Sequence, residues 1–361
     1  MPDAYAVDKL AAHPETLRKL RETGEGDLLS VHLMPTNRCG HGCAWCSYRM
    51  DGNKNSSAFD ESKQIPWGAM LSLLDDFETL GVKGVEVTGG GEPLSYRWVT
   101  PIWHELARRP FATALVTNGT LLTDELARLI TSSHLRWARV SIDSSNPGTY
   151  SEARRVKPLE YDRAWNAVEL LRKHAPKDPE FRLGVGFVQS NENMGEVHEF
   201  VRMAKERGAD NVRLSVTFSD HGPNYYKDQE ALRRAVEDSK RADADFTGDS
   251  FAVNNLIPAR VWEVSHPAQD YKRCPTKDVL CVVEGECKVY TCCTFTGSLS
   301  GLYGKFTEHT EGFLGLWNGY RQWRKDFDAS SYCKVSCLYR DRNLAMNKLI
   351  DAPEHIHREF V

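Results

Sequence analysis

Residues 39–46 read Cys39-Gly-His-Gly-Cys43-Ala-Trp45-Cys46, three cysteines in the spacing C-x3-C-x2-C. They follow an apolar, β-branched run, Leu29 to Met34 (LSVHLM), which predicts a buried strand leading into the loop. Three thiolates on one short loop suit a cubane cluster of four irons in which the protein holds three. The fourth iron is then open, and an open metal position binds substrate or cofactor chemically. The other reading of these residues is structural zinc, with His41 as a fourth ligand. Zinc knuckles, however, pair cysteines as C-x2-C with a second pair further along.

The chain has 361 residues, 41% hydrophobic and 27% charged, with a formal net charge of −4. These are ordinary values for a soluble globular protein of about two domains. The mild negative charge and the absence of a long basic run argue against a nucleic-acid partner. No apolar stretch approaches the roughly 20 residues that span a bilayer, and the charged N-terminus lacks a signal-peptide core. The expectation is a cytoplasmic protein with no membrane partner. Of ten cysteines, three lie between 39 and 46, none between 47 and 273, and seven from Cys274 onward. In such a chain clustered cysteines point to metal or redox chemistry, here in two separate regions.

After a short helix and polar connector in residues 1–28, the chain alternates. Strand-like runs at Leu29–Met34, Val85–Val87, Thr113–Val116, Ala138–Ile142, Arg182–Val188 and Val212–Val216 are separated by amphipathic helical segments. Pro66 opens the first of these helices and Gly81 stops it; Thr123 reads as an N-cap before Asp124 and Glu125. Six βα units imply an α/β fold with parallel strands and outer helices, as a doubly wound sheet or an incomplete barrel. The composition shifts after about residue 243, dividing the chain into 29–243, a cysteine-rich 244–340 and a tail from 341.

Thr88-Gly89-Gly90-Gly91-Glu92-Pro93 follows the second strand: glycines admit close backbone approach, and the carboxylate of Glu92 suits an ammonium group. Together with the cysteine triplet and Trp45 before its last member, this stretch resembles the radical S-adenosylmethionine (radical SAM) superfamily. The resemblance implies a partial (β/α)6 TIM-like barrel with chemistry at the C-terminal ends of the strands. It implies a [4Fe–4S] cluster on Cys39, Cys43 and Cys46, with S-adenosylmethionine on the open iron. Reductive cleavage would yield a 5′-deoxyadenosyl radical that abstracts hydrogen from substrate. Gly90, Gly91 and Glu92 match the family's GGEP motif facing the cofactor's amino group, and Thr117-Asn118-Gly119 its TNG turn. Ser141 and Asp143, ending the fourth strand, are placed toward ribose and the methionine portion. Arg154, with Arg155 as neighbour and competitor, resembles the arginine that pairs with the cofactor carboxylate. Val188, in Gly184-Val-Gly186-Phe187-Val188, and the backbone of Trp45 are expected near adenine.

Asp220 and His221, in the loop after the sixth strand, are the acid–base candidates, with Asn191 and Glu192 weaker ones. In the C-terminal region Cys274, Cys292, Cys333 and Cys337 resemble the ligands of a twitch/SPASM-like domain holding one auxiliary [4Fe–4S] cluster for electron transfer. Cys287 stands where that pattern has a turn glycine, and Cys281 or Cys293 is a substitute ligand. Zinc on four of the seven is the other reading. The resemblance thus implies an oxidoreductase fed by an electron donor such as flavodoxin or ferredoxin. Fewer than thirty residues precede the first strand, without room for a leader-recognition domain. On that ground the expected substrate is a small, sugar- or aminocyclitol-like molecule; a peptide-modifying or sulfatase-maturing enzyme and a zinc-stabilised binding protein are the alternatives.

Overall fold

The computed structural model describes residues 5–49, 59–217, 225–266 and 268–352. Ten strands form one sheet: β1 (Ser30–Leu33), β2 (Gly84–Val87), β3 (Ala112–Thr117), β4 (Leu135–Ser141), β5 (Arg182–Gln189), β6 (Asn211–Val216), β7 (Ala252–Asn255), β8 (Leu280–Val283), β9 (Lys288–Tyr290) and β10 (Leu302–Lys305). Their order is β10-β9-β8-β1-β2-β3-β4-β5-β6-β7. Strands β1 to β6 are the six expected, each followed by a helix, beginning with Trp67–Thr79 after β1 and ending with Gln229–Phe246 after β6. The expected punctuation is present: Gly81 takes φ +71° after the first helix, and the Thr123 hydroxyl accepts from the Leu126 amide at 3.2 Å.

Residue alternation along the strands makes the two faces. Val31, Leu33, Val85 and Val87 are buried against Leu73, Leu74 and Phe77 of the helix Trp67–Thr79. The residues between them, His32 and Glu86, face a lumen on the inner side. The sheet therefore curves as a partial barrel whose helices lie outside.

The sheet continues beyond residue 243. Strand β7 pairs in parallel with β6, and β8 in parallel with β1, flanking the six units on both sides. A hairpin then adds β9 and β10 antiparallel. The cysteine-rich region is thus stitched into the barrel edge nearest β1. Its helix Gly312–Gly319 docks on Trp67–Thr79, where Asp76 accepts from the Phe313 amide at 2.9 Å and from the Leu314 amide at 3.2 Å. Residues 341–351 of the expected tail lie in the helix Arg340–Asp351, which packs Met346 and Ile350 against Leu20 of the N-terminal helix Pro14–Thr23. None of the described helices is long and apolar enough to cross a membrane.

Candidate active site

The loop leaving β1 is held in place by two neighbours before its cysteines do anything. Asn37 donates to Glu284 at 2.9 Å and accepts from the Gly285 amide at 3.2 Å, tying the loop to the β8–β9 hairpin. On the other side the amides of Gly42 and Ala44 donate to the carbonyls of Arg154 and Ala153 at 3.0 and 2.9 Å. The cysteine loop is thereby seated on the last turn of the helix Pro147–Arg154.

Sulfur chemistry follows from the N–H groups around it. The His41 amide donates to Cys39 Sγ at 3.4 Å, and Asn118 Nδ2 stands 3.9 Å from the same sulfur. Arg49 Nη1 lies 3.8 Å from Cys46 Sγ. Burial pushes the Cys43 thiol up to about 12 and raises Cys39 as well. Such thiols ionise only when a metal replaces the proton. Donors aimed at sulfur are what a thiolate-held cluster requires of its surroundings.

Glu92 is 3% exposed and fully engaged within the protein. Its carboxylate accepts from the Thr117 hydroxyl at 2.5 Å and the Leu94 and Asn118 amides at 3.1 and 2.8 Å. The motif residues after β2 and β3 are therefore one hydrogen-bonded unit beside Cys39. Gly91 allows it: a Cβ there would lie 2.3 Å from the Arg38 carbonyl oxygen, and the Glu92 amide donates to that oxygen at 2.7 Å. A Cβ on Gly90 would meet the Phe59 ring at 2.7 Å.

Arg154 and Asp143 are brought to each other. They form a buried ion pair, and Arg154 also donates to the carbonyls of Ile142 (3.2 Å) and Ser141 (2.8 Å) and faces His41 Nδ1 at 3.2 Å. Asp143 holds Arg154 firmly cationic, and Arg154 with burial keeps His41 neutral, down at about 3. His41 Nδ1 thus points at a cation, and its Nε2 stands 3.4 Å from the Thr120 hydroxyl. Of the five N–H donors of a guanidinium, one on Nη1 is left after these contacts. Arg155, its neighbour, is exposed in a left-handed conformation (φ 54°). Asp143, also left-handed at φ 63°, accepts from the Val188 amide at 2.7 Å. Trp45, with its ring 5.8 Å from the Arg154 guanidinium, and Val188 line a cavity of about 810 Å³ that is the barrel lumen.

The second cysteine group converges from four elements. Cys274 precedes the helix Thr276–Val279, Cys292 follows β9, and Cys333 and Cys337 flank the turn before Arg340–Asp351. Burial raises the Cys292 thiol, and the nearness of Cys293, Cys337, Cys274 and Cys333 raises it further. The Tyr271 hydroxyl donates to Cys337 Sγ at 3.3 Å, and Asn343, 3.1 Å from that hydroxyl, accepts from the Cys274 thiol at 3.7 Å. The other three cysteines have other surroundings. Cys281 is fully buried in β8; Cys287 takes the left-handed turn of the hairpin (φ 63°); Cys293 faces the lumen, 3.2 Å from the Tyr339 hydroxyl. Among the described residues no three His, Cys, Asp or Glu are placed to share a single metal ion.

The sequence motifs did not reveal the locks behind these loops. Glu196 accepts from the Ser144 hydroxyl, the Ser145 amide and Asn146 at 2.8, 2.6 and 3.0 Å, and Asn193 donates to the carbonyls of Asp143 and Val188 at 2.8 Å each. Asn191 serves the chain itself, donating to the Tyr225 carbonyl at 3.0 Å. Asp220 and His221 lie outside the described residues.

Residues 33–204 match the Radical SAM superfamily. This chain carries a radical SAM domain. That domain's cofactors are a [4Fe–4S] cluster and S-adenosylmethionine, and SPASM-type members carry auxiliary clusters. The AdoMet-dependent heme synthase of Methanosarcina barkeri is 30% identical over 153 residues, 41% of this chain and 42% of that protein. The PqqA peptide cyclase of Gluconobacter oxydans is 25% identical over 231 residues, 62% of this chain and 59% of that one. The chain spans less than two thirds of either relative. Streptococcus suis SuiB bound to its precursor peptide SuiA superposes with a TM-score of 0.62 at 15% identity, covering 94% of this chain and 79% of SuiB. The expectation of a small-molecule substrate is overturned by the alignment with the PqqA peptide cyclase. It rested on the length of chain before β1, whereas substrate class is set by the lining and mouth of the lumen.

Proposed function

We propose that this chain is a radical SAM enzyme acting on a peptide. The cluster and S-adenosylmethionine, when bound, supply a 5′-deoxyadenosyl radical able to take hydrogen from an unactivated carbon. The chain's own residues do the rest. Cys39, Cys43 and Cys46 hold the cluster, with N–H donors from His41 and Asn118 directed at Cys39. The Glu92–Thr117–Asn118 unit fixes the loops around it, and Arg154 offers its remaining N–H toward the cofactor carboxylate. Trp45 and Val188 wall the side where adenine would lie. Cys274, Cys292, Cys333 and Cys337 would hold the auxiliary cluster, and reductive cleavage at the first cluster would draw its electron from a one-electron donor of the flavodoxin or ferredoxin kind. All ten cysteines are unpaired, which supports a reducing, cytoplasmic setting.

The observation that carries the peptide reading is the alignment with the peptide cyclase, whose 231 residues run beyond the span of residues 33–204. The test is anaerobic turnover with uniformly deuterated candidate peptides encoded beside the gene. Deuterium entering 5′-deoxyadenosine together with a changed peptide mass supports the reading. Deuterium delivered only by a small metabolite refutes it.

A further inference from the structure

The inner face of the barrel carries charges that no motif accounts for. Arg139 on β4 and Arg213 on β6 both line the lumen, on either side of β5. On β5 the registers are Arg139 opposite Gly184, and Gly186 opposite Arg213. The glycines keep this strand bare. A Cβ on Gly186 would stand 3.5 Å from Arg139 Cδ, so the stem of Arg139 runs across that glycine toward the β6 side. A side chain in its place would press on the stem of Arg139.

Neither arginine has an ion-pair partner among the described residues; Arg139 has the Trp137 ring 5.5 Å away and lies within electrostatic reach of the Asp143 carboxylate. Glu86, on β2, faces the same space and stands 3.3 Å from His32 Nε2. Of the other charged groups facing the space, Arg260 is committed to Glu263, Arg342 stands over the Tyr339 ring at 5.3 Å, and Asp341 adds a carboxylate. Burial and the neighbouring Arg139 and Arg260 bring Arg213 down to about 10, against the opposing influence of Tyr5 and Cys293. In a chain of net charge −4, two lumen cations without an ion-pair partner among the described residues are a cost that a bound anion offsets.

We propose that Arg139 and Arg213 form an anion subsite on the lumen wall that takes a carboxylate of the substrate. The site sits below the cofactor level, Arg139 being one inward position beneath Ser141 and Arg213 two beneath Thr217. It would draw an acidic side chain or a peptide's terminal carboxylate inward and so place the neighbouring carbon under the radical. The bearer of that carboxylate rests on the peptide reading; the subsite itself does not.

The test is anaerobic isothermal titration of the cluster-loaded protein with S-adenosylmethionine saturating. The probes are glutarate, acetyl-Ala-Glu-Ala-amide, acetyl-Ala-Gln-Ala-amide, and acetyl-Ala-Ala-Ala with a free carboxylate. Glutarate should bind with the cofactor present, and Arg139→Gln or Arg213→Gln should weaken it about tenfold or more. Arg213→Lys, which keeps the charge, should retain most of the affinity and serves with unchanged iron content as the folding control. The Glu peptide should bind about tenfold tighter than the Gln peptide if a side chain is read. The free-carboxylate peptide should lead if a chain end is read. Arginine-dependent binding of glutarate with no binding of any peptide would uphold the subsite and remove the peptide reading. Glutarate binding that is unchanged in both Gln variants, or is displaced by S-adenosylmethionine, would overturn the subsite.

Discussion

Replacing Glu92 by Gln changes one oxygen of a buried carboxylate into an amide. In the protein that carboxylate receives three donors: the Thr117 hydroxyl, the Asn118 amide and the Leu94 amide. Whichever way the glutamine turns, its NH₂ faces a backbone N–H. If it faces Leu94, the Thr117 hydroxyl can rotate to accept, but Leu94 is orphaned; if it faces Asn118, that amide is orphaned. A buried unsatisfied donor costs about 1–3 kcal/mol. Burial also raises the Glu92 carboxyl, so the neutral amide recovers part of that cost, and a net loss of about 1–2 kcal/mol is expected. Alanine orphans all three donors and should cost about 3 kcal/mol or more. The assay is anaerobic urea unfolding of the cluster-loaded protein, followed by fluorescence, with Thr117→Val and the double variant completing a cycle. Because both residues share one hydrogen bond, a coupling of about 1 kcal/mol is expected. A Gln variant as stable as the parent, with additive single effects, would refute the claim that Glu92 fastens the two loops together.

Removing Cys274 as Ala should lower bound iron by one cluster's content, while Cys281→Ala should leave iron unchanged and cost about 1–2 kcal/mol, since Cys281 is fully buried in β8; iron and sulfide analysis with melting curves checks both. Gly91→Ala puts a Cβ 2.3 Å from the Arg38 carbonyl oxygen, so the loop must shift, and S-adenosylmethionine affinity measured by titration should fall about tenfold or more. Burial lowers the His32 pKa from 6.5, so the unfolded chain binds that proton first and stability falls as pH drops below about 6.5, by at most ~1.4 kcal/mol per pH unit. His32→Gln should remove that component of the slope between pH 7.5 and pH 5.5 on the order of one proton, read from urea midpoints.

Much of the barrel was legible because each βα unit announces itself locally: Val85 and Val87 alternate with Glu86, and Leu73, Leu74 and Phe77 share one helical stripe. The cysteine loop and Glu92 were legible for a chemical reason, since few roles other than metal and ligand binding ask for those residue types at strand ends. Strands β7 and β8 were not. Ala252-Val-Asn-Asn255 is short and half polar, and Leu280-Cys-Val-Val283 pairs with a strand some 250 residues earlier in the chain, which leaves no local signal. Arg139 and Arg213 were hidden by the same alternation that revealed their strands. A polar residue every second position reads as a solvent face, whereas in a barrel it is the lumen. The Glu92–Thr117 bond joins motifs that sequence reading treats separately, and only the register of β2 beside β3 brings them together.

The account rests on three thiols holding a cluster that S-adenosylmethionine can reach, and one assay addresses it directly. Reconstituted protein, kept from oxygen, is incubated with S-adenosylmethionine and dithionite, and 5′-deoxyadenosine is quantified by liquid chromatography. The wild-type chain should produce it, and Cys43→Ala should not while retaining the iron of its auxiliary cluster. Iron-loaded wild-type protein that makes no 5′-deoxyadenosine, or a Cys43→Ala variant that makes as much, would contradict it.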